Sequence, residues 1–184
     1  MSVFLRLRAG QLFTLVFGLP MLIQLAAGVA GAYTGEARVF VAGWLLAMLL
    51  TGLFFGWLWT LGTRLAARLP AAAPARTGWF RAGLLLPVGY IGLLLLCIGL
   101  LFQHARMPAL PPVTLLLLLP LHLLSMAGIF YALYFVAKTL NAVERQRPVG
   151  LAECLGDFFL LWFFPVGIWF IQPRINRLFA PDEQ

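Results

Sequence analysis

The sequence predicts an all-α integral membrane protein: a four-transmembrane-helix antiparallel bundle followed by a C-terminal aromatic segment that re-enters the bilayer or lies at its interface. Three observations carry that expectation. Of 184 residues, 62% are hydrophobic and only 10% are charged, too little polar surface to cover a water-soluble globule. The apolar residues fall into four uncharged runs, Ala9–Gly35, Val39–Thr63, Ala82–Ala105 and Met107–Ala137, each long enough to cross about 30 Å of hydrocarbon. None alternates as a barrel strand does, so helices are the reading. The same composition excludes disorder, and two cysteines without a glycine period exclude disulfide-rich and collagen-like scaffolds.

Taken in order, the first run follows Arg6 and Arg8 and contains the small-residue stretch Ala30-Gly31-Ala32, a combination that imitates a signal peptide. It is too long for a typical apolar signal core, so a retained helix at about 11–33 is expected. The second run gives a span at about 39–61, the third at about 82–103 and the fourth at about 113–137, within one membrane domain over 1–184. The loop 64–81, with Pro70-Ala-Ala-Ala-Pro74, and the shorter loops 34–38 and 104–112 leave no room for a soluble catalytic domain.

The last apolar stretch, Phe158–Pro173, is different. It has sixteen uncharged residues, seven of them aromatic, with Pro165 and Gly167 near its middle. At 1.5 Å per residue it is short for a span, and its rings favour the headgroup boundary. With the N-terminus inside, nine basic residues fall inside and Arg38 and Arg106 outside. A non-spanning segment at about 154–173 keeps Arg174 and Arg177 inside as well, so both termini are expected on the cytoplasmic face. A short, kinked fifth span is the alternative. Twelve Arg against one Lys, with abundant Ala, Leu and Gly, suggest a bacterial inner membrane. The net charge of +7 is accounted for by this orientation and by anionic headgroups, without a nucleic-acid partner.

Three groups of residues are candidate sites. Tyr131, Tyr134, Lys138, Asn141 and Arg145 recur at helical spacing and form one polar stripe, expected to grip a lipid headgroup, a phosphate or a carboxylate. The plainer reading is a helix leaving the bilayer, with tyrosines in the aromatic belt and Lys138 snorkelling. Glu153 and Asp157, four apart, need cationic partners at a membrane border; Lys138, Arg145 and Arg174 are the candidates, for an ion-pair anchor or an ion site. Gly52 and Gly56 form a GxxxG extended by Thr60, beside a second small-residue row of Gly43, Ala47 and Thr51. Packing within the chain is the preferred reading and homodimerisation the second.

Other polar residues read as structural. His122 is expected to repair the carbonyl that Pro120 leaves without a donor, with a proton relay as the sharper reading, while Gln11, Thr14 and Gln24 read as interhelical hydrogen bonds. Cys97 and Cys154 are expected as packing residues, and His104 lies at a loop. No nucleophile elbow, phosphate loop, HExxH or convincing metal-ligand spacing occurs, so no catalytic residue, metal or cofactor is assigned. The expected function is non-catalytic binding of lipid or a protein partner, as an accessory or scaffold. A small oligomeric channel or transporter for an ion or solute is the alternative, and a membrane-embedded lipid-modifying enzyme the third reading.

Overall fold

The computed structural model describes residues 3–73, 76–103 and 112–180, and within them the side chains other than those of 37, 40, 51, 97–103, 112–115 and 117. The readings of His104, Arg106, Pro74 and the side chains of Thr51 and Cys97 lie outside the described residues. The described chain is helical: a 3-10 turn at Val3–Leu5, α1 (Ala9–Phe13), a π turn (Thr14–Gly18), α2 (Leu19–Thr34), α3 (Ala37–Ala66), α4 (Thr77–Gln103), α5 (Pro112–Arg145), α6 (Leu151–Trp162) and α7 (Phe164–Phe179). Four stretches are long and apolar enough to cross a membrane: Ala9–Thr34, Val41–Ala66, Thr77–Leu96 and Leu118–Arg145.

Local chemistry accounts for the irregularities. Pro20 has no N–H to offer Val16, and its ring crowds that carbonyl, so the preceding turn widens to a π turn in which Leu19 N–H reaches Thr14 O. Gln11 Oε1 accepts from Arg8 N–H at 2.9 Å and Thr14 Oγ1 donates to Gly10 O at 2.9 Å, so both serve their own helix. Gln24 is exposed. The interhelical bonds expected of these three are therefore not made.

Helices α2 and α3 meet where a Cβ on Gly43 would overlap Ala27, and α4 and α5 meet where a Cβ on Gly128 would lie 2.5 Å from Gly83 O. Gly52 and Gly56 do not bring helices together in this way. A Cβ on Gly52 meets nothing within 4 Å, and one on Gly56 meets the Phe4 ring at 3.4 Å. Of the two small-residue rows, the one through Gly43 marks a close approach, while that through Gly52 and Gly56 does not; Gly83 and Gly128 make another.

Past Trp162 the chain turns back on itself, and α6 and α7 are bent by 120°. Phe163 leaves helical geometry (φ −86°, ψ 55°), Pro165 begins α7, and Gly167 lies against the Leu160 carbonyl where any Cβ would overlap it. In one straight helix Asp157 and Arg174 would stand about 25 Å apart. Here Arg174 Nη1 is 2.6 Å from Asp157 Oδ1, so the segment is a helical hairpin and not a kinked rod.

The core lies where the hairpin packs. Trp57, Leu61 and Leu65 of α3, Phe80 and Leu84 of α4, Leu133 and Leu140 of α5, and Leu161, Ile168 and Ile171 of the hairpin are buried together. Toward the other end of the helices, Leu22, Leu25, Leu49, Leu119 and Leu123 are exposed.

Candidate headgroup pocket and ion-paired base

The hairpin is held at its open end by charge. Arg174, on α7, places Nη1 2.6 Å from Asp157 Oδ1 and Nη2 2.8 Å from Asp157 Oδ2. The same guanidinium reaches Glu144 through Nε at 2.8 Å and Nη2 at 2.5 Å. Asn141 Nδ2 donates to Asp157 Oδ2 at 2.6 Å and to Ala137 O at 3.0 Å. Asp157 is only 9% exposed, a place where a carboxylate is tolerated only with such partners. The planar fork of arginine meets both oxygens of Asp157 while still reaching Glu144, a geometry the single ammonium of lysine does not match.

Glu153 makes a second clasp one turn earlier. It accepts from Arg145 Nη1 at 2.9 Å, from Arg147 Nη2 at 2.5 Å and from Gly150 N–H at 2.9 Å, so its carboxylate satisfies the backbone donor that opens α6. The Arg147 hydrogen bond first, and the Gly150 N–H second, hold its carboxyl down at about 2.

A third contact was not legible as a site. Gln172 of α7 is fully buried; its Oε1 accepts from Trp57 Nε1 at 3.0 Å, and its Nε2 is shared among Phe4 O at 2.9 Å, Leu7 O at 3.0 Å and Asn176 Oδ1 at 3.0 Å. Asn176 Nδ2 reaches Leu7 O at 3.2 Å, so two amides one helical turn apart pin the N-terminal segment to the hairpin. The sequence showed Gln172 and Asn176 on one face of a helix, but their acceptors are backbone carbonyls about 165 residues away.

The polar stripe of α5 divides. Asn141 and Arg145 turn to Asp157 and Glu153 and belong to the ion-paired base. Tyr131, Tyr134 and Lys138 line a cavity of about 400 Å³, together with Arg76 of the α3–α4 connection and Val149 of the α5–α6 connection. The Lys138 ammonium sits 5.7 Å from the centre of the Tyr134 ring. Among the described residues, each of Glu36, Glu144, Glu153 and Asp157 has an arginine partner, and none is paired with Lys138 or Arg76. The cavity therefore combines two cations, two phenols and an apolar wall.

Cys154 is buried, and the loss of hydration raises its thiol above the ordinary value. His122 is exposed with its ring 5.6 Å from that of Tyr90, and it forms no hydrogen bond with the carbonyl of Leu116, so the repair role expected beside Pro120 is not seen. Among the described residues no three His, Cys, Asp or Glu side chains converge as metal ligands would. Comparison with protein-family models, with curated proteins and with solved structures gives no match for this chain.

Proposed function

We propose that this chain is a non-catalytic, multi-span protein of a bacterial inner membrane that binds an anionic lipid headgroup at the cytoplasmic boundary. In this reading the four apolar helices form an antiparallel bundle, α6 and α7 re-enter from the cytoplasmic side, and both termini are cytoplasmic. The observation that carries the proposal is the cavity where Lys138 and Arg76 stand beside Tyr131 and Tyr134 with no carboxylate among the described residues that line it. Two cations and two hydroxyls suit a phosphate, and the apolar wall suits the glycerol and first methylenes behind it. The ion-site reading of Asp157 has less support, because both of its oxygens already accept from Arg174 and one also from Asn141. That arrangement suits an anchor.

Each basic residue near an anionic surface contributes about 1 kcal/mol, so removing both cations in Arg76→Ala/Lys138→Ala lowers retention by about 2 kcal/mol, or roughly thirty-fold. Native mass spectrometry of protein released from phosphatidylglycerol-containing vesicles reads this directly. Retention unchanged in the double variant, with phosphatidylcholine as the neutral control, sinks the proposal. A C-terminal reporter active only in the periplasm would overturn the topology.

A further inference from the structure

A second cavity, of about 440 Å³, runs between α3 and α4. We propose that it is a slot for one acyl chain of an anionic phospholipid in the leaflet adjoining Arg81. Its walls run from Met48 to Trp59 on α3 and from Leu84 to Leu95 on α4. Eleven residue steps on each helix make the slot about 16 Å long, which is the depth of one leaflet of a hydrocarbon core of about 30 Å. A volume of about 440 Å³ spread over that length makes a long, narrow, apolar groove, the shape of one extended hydrocarbon chain. A second copy laid over it is the competing occupant.

The small residues explain why the slot exists. A Cβ on Gly52 or on Gly92 meets nothing within 4 Å, so these glycines leave space between the helices instead of bringing them together. The Phe4 ring, 3.4 Å from a Cβ on Gly56, lies under one end. At that same end stands Trp59, with the Arg81 guanidinium 5.8 Å from its ring centre. An indole with a cation over it belongs at the headgroup level, and the charge complements a phosphate at the mouth of an otherwise apolar groove. The inference rests on the membrane reading but not on the Lys138 pocket.

The test reconstitutes the full chain in phosphatidylcholine vesicles doped with a phosphatidylglycerol that carries a photoactivatable diazirine in its acyl chain, and maps adducts by peptide mass spectrometry. Adducts at 48–59 and 84–95 should exceed those at Leu22, Leu25 and Leu123 several-fold, although those leucines are 63%, 64% and 60% exposed. Gly52→Leu/Gly92→Leu fills the slot and should remove that excess, and Arg81→Gln should remove the preference for phosphatidylglycerol over an equally labelled phosphatidylcholine. Arg76→Ala/Lys138→Ala should leave the adduct pattern unchanged, which separates this slot from the headgroup pocket. Labelling of the slot no greater than that of the exposed leucines overturns the proposal, whether or not the filled variant folds. So does a wild-type dimer that Gly52→Leu converts to monomer while the slot stays unlabelled.

Discussion

Both ends of this molecule are rich in apolar side chains, but nearly all of its charge lies at one of them, and the two ends are held by different forces. At the base, the hairpin, the N-terminal segment and the adjoining halves of α3, α4 and α5 bury Trp57, Phe80, Leu61 and Ile171, and polar side chains there have named partners. In the far halves, Leu25, Leu49, Leu119 and Leu123 are more than half exposed. In a bilayer, exposing a leucine costs little because lipid tails are as apolar as the side chain. Hydrophobicity therefore places a residue in the membrane without saying whether protein or lipid covers it. What distinguishes the base is large side chains buried together, with hydrogen bonds and ion pairs that have no substitute in hydrocarbon.

The sharpest way to break the base is Arg174→Leu. It leaves Asp157 and Glu144 without their shared cation, and one side of a largely buried pair removed alone costs about 3–5 kcal/mol. Because Arg174 is 28% exposed, the lower end of that range is expected in thermal unfolding in detergent. Asp157→Asn/Glu144→Gln added to Arg174→Leu should recover part of the loss. No recovery would show that the arginine acts through its packing and not its charge.

Gln172→Ala comes next. It strands the Trp57 N–H and the Phe4 carbonyl and leaves Leu7 O to Asn176 alone, for a loss of about 2 kcal/mol. Limited proteolysis near residue 5 should accelerate in this variant, since the N-terminal segment loses its clasp. The comparison between the two ends is then tested within one residue type. Leu61→Ala, at a fully buried position, forfeits packing and opens a cavity, for about 1–2 kcal/mol once the missing water-transfer part is discounted. Leu123→Ala, 60% exposed, should stay within about 0.5 kcal/mol. Equal losses at the two positions would mean that protein covers Leu123 in the membrane.

The four apolar stretches and the break in the fifth were readable from length and composition: a run of about 20 uncharged residues is long enough to cross a membrane, and a shorter one centred on proline and glycine invites a reversal. The need for a cation beside Asp157 was readable too, since a carboxylate there is costly, but the choice of Arg174 over Lys138 was not. That choice depends on a reversal at Phe163 that brings two residues seventeen positions apart into contact. The α5 stripe illustrates the same limit. Helical spacing grouped five polar residues, and the hairpin then took Asn141 and Arg145 for itself and left Tyr131, Tyr134 and Lys138 to the cavity. Nor does spacing reveal whether a GxxxG receives a helix or leaves a gap, because that depends on the neighbour.

The smallest expected effect isolates the exposed clasp from the buried one. The carboxyl of Glu153 is held near 2, below its ordinary 4.5, chiefly by the Arg147 hydrogen bond. A depressed carboxyl stabilises the folded state fully above the ordinary value and loses that contribution as pH falls through the interval down to about 2. The difference in melting temperature between wild type and Glu153→Gln should therefore be largest at neutral pH, shrink below pH 4.5 and vanish near pH 2. Salt should diminish it as well, because Arg145 and Arg147 are about half exposed. A difference that stays constant across that pH range would mean that the charge of Glu153 contributes nothing to folding and that neither Arg147 nor Gly150 N–H holds its carboxyl down in the folded protein.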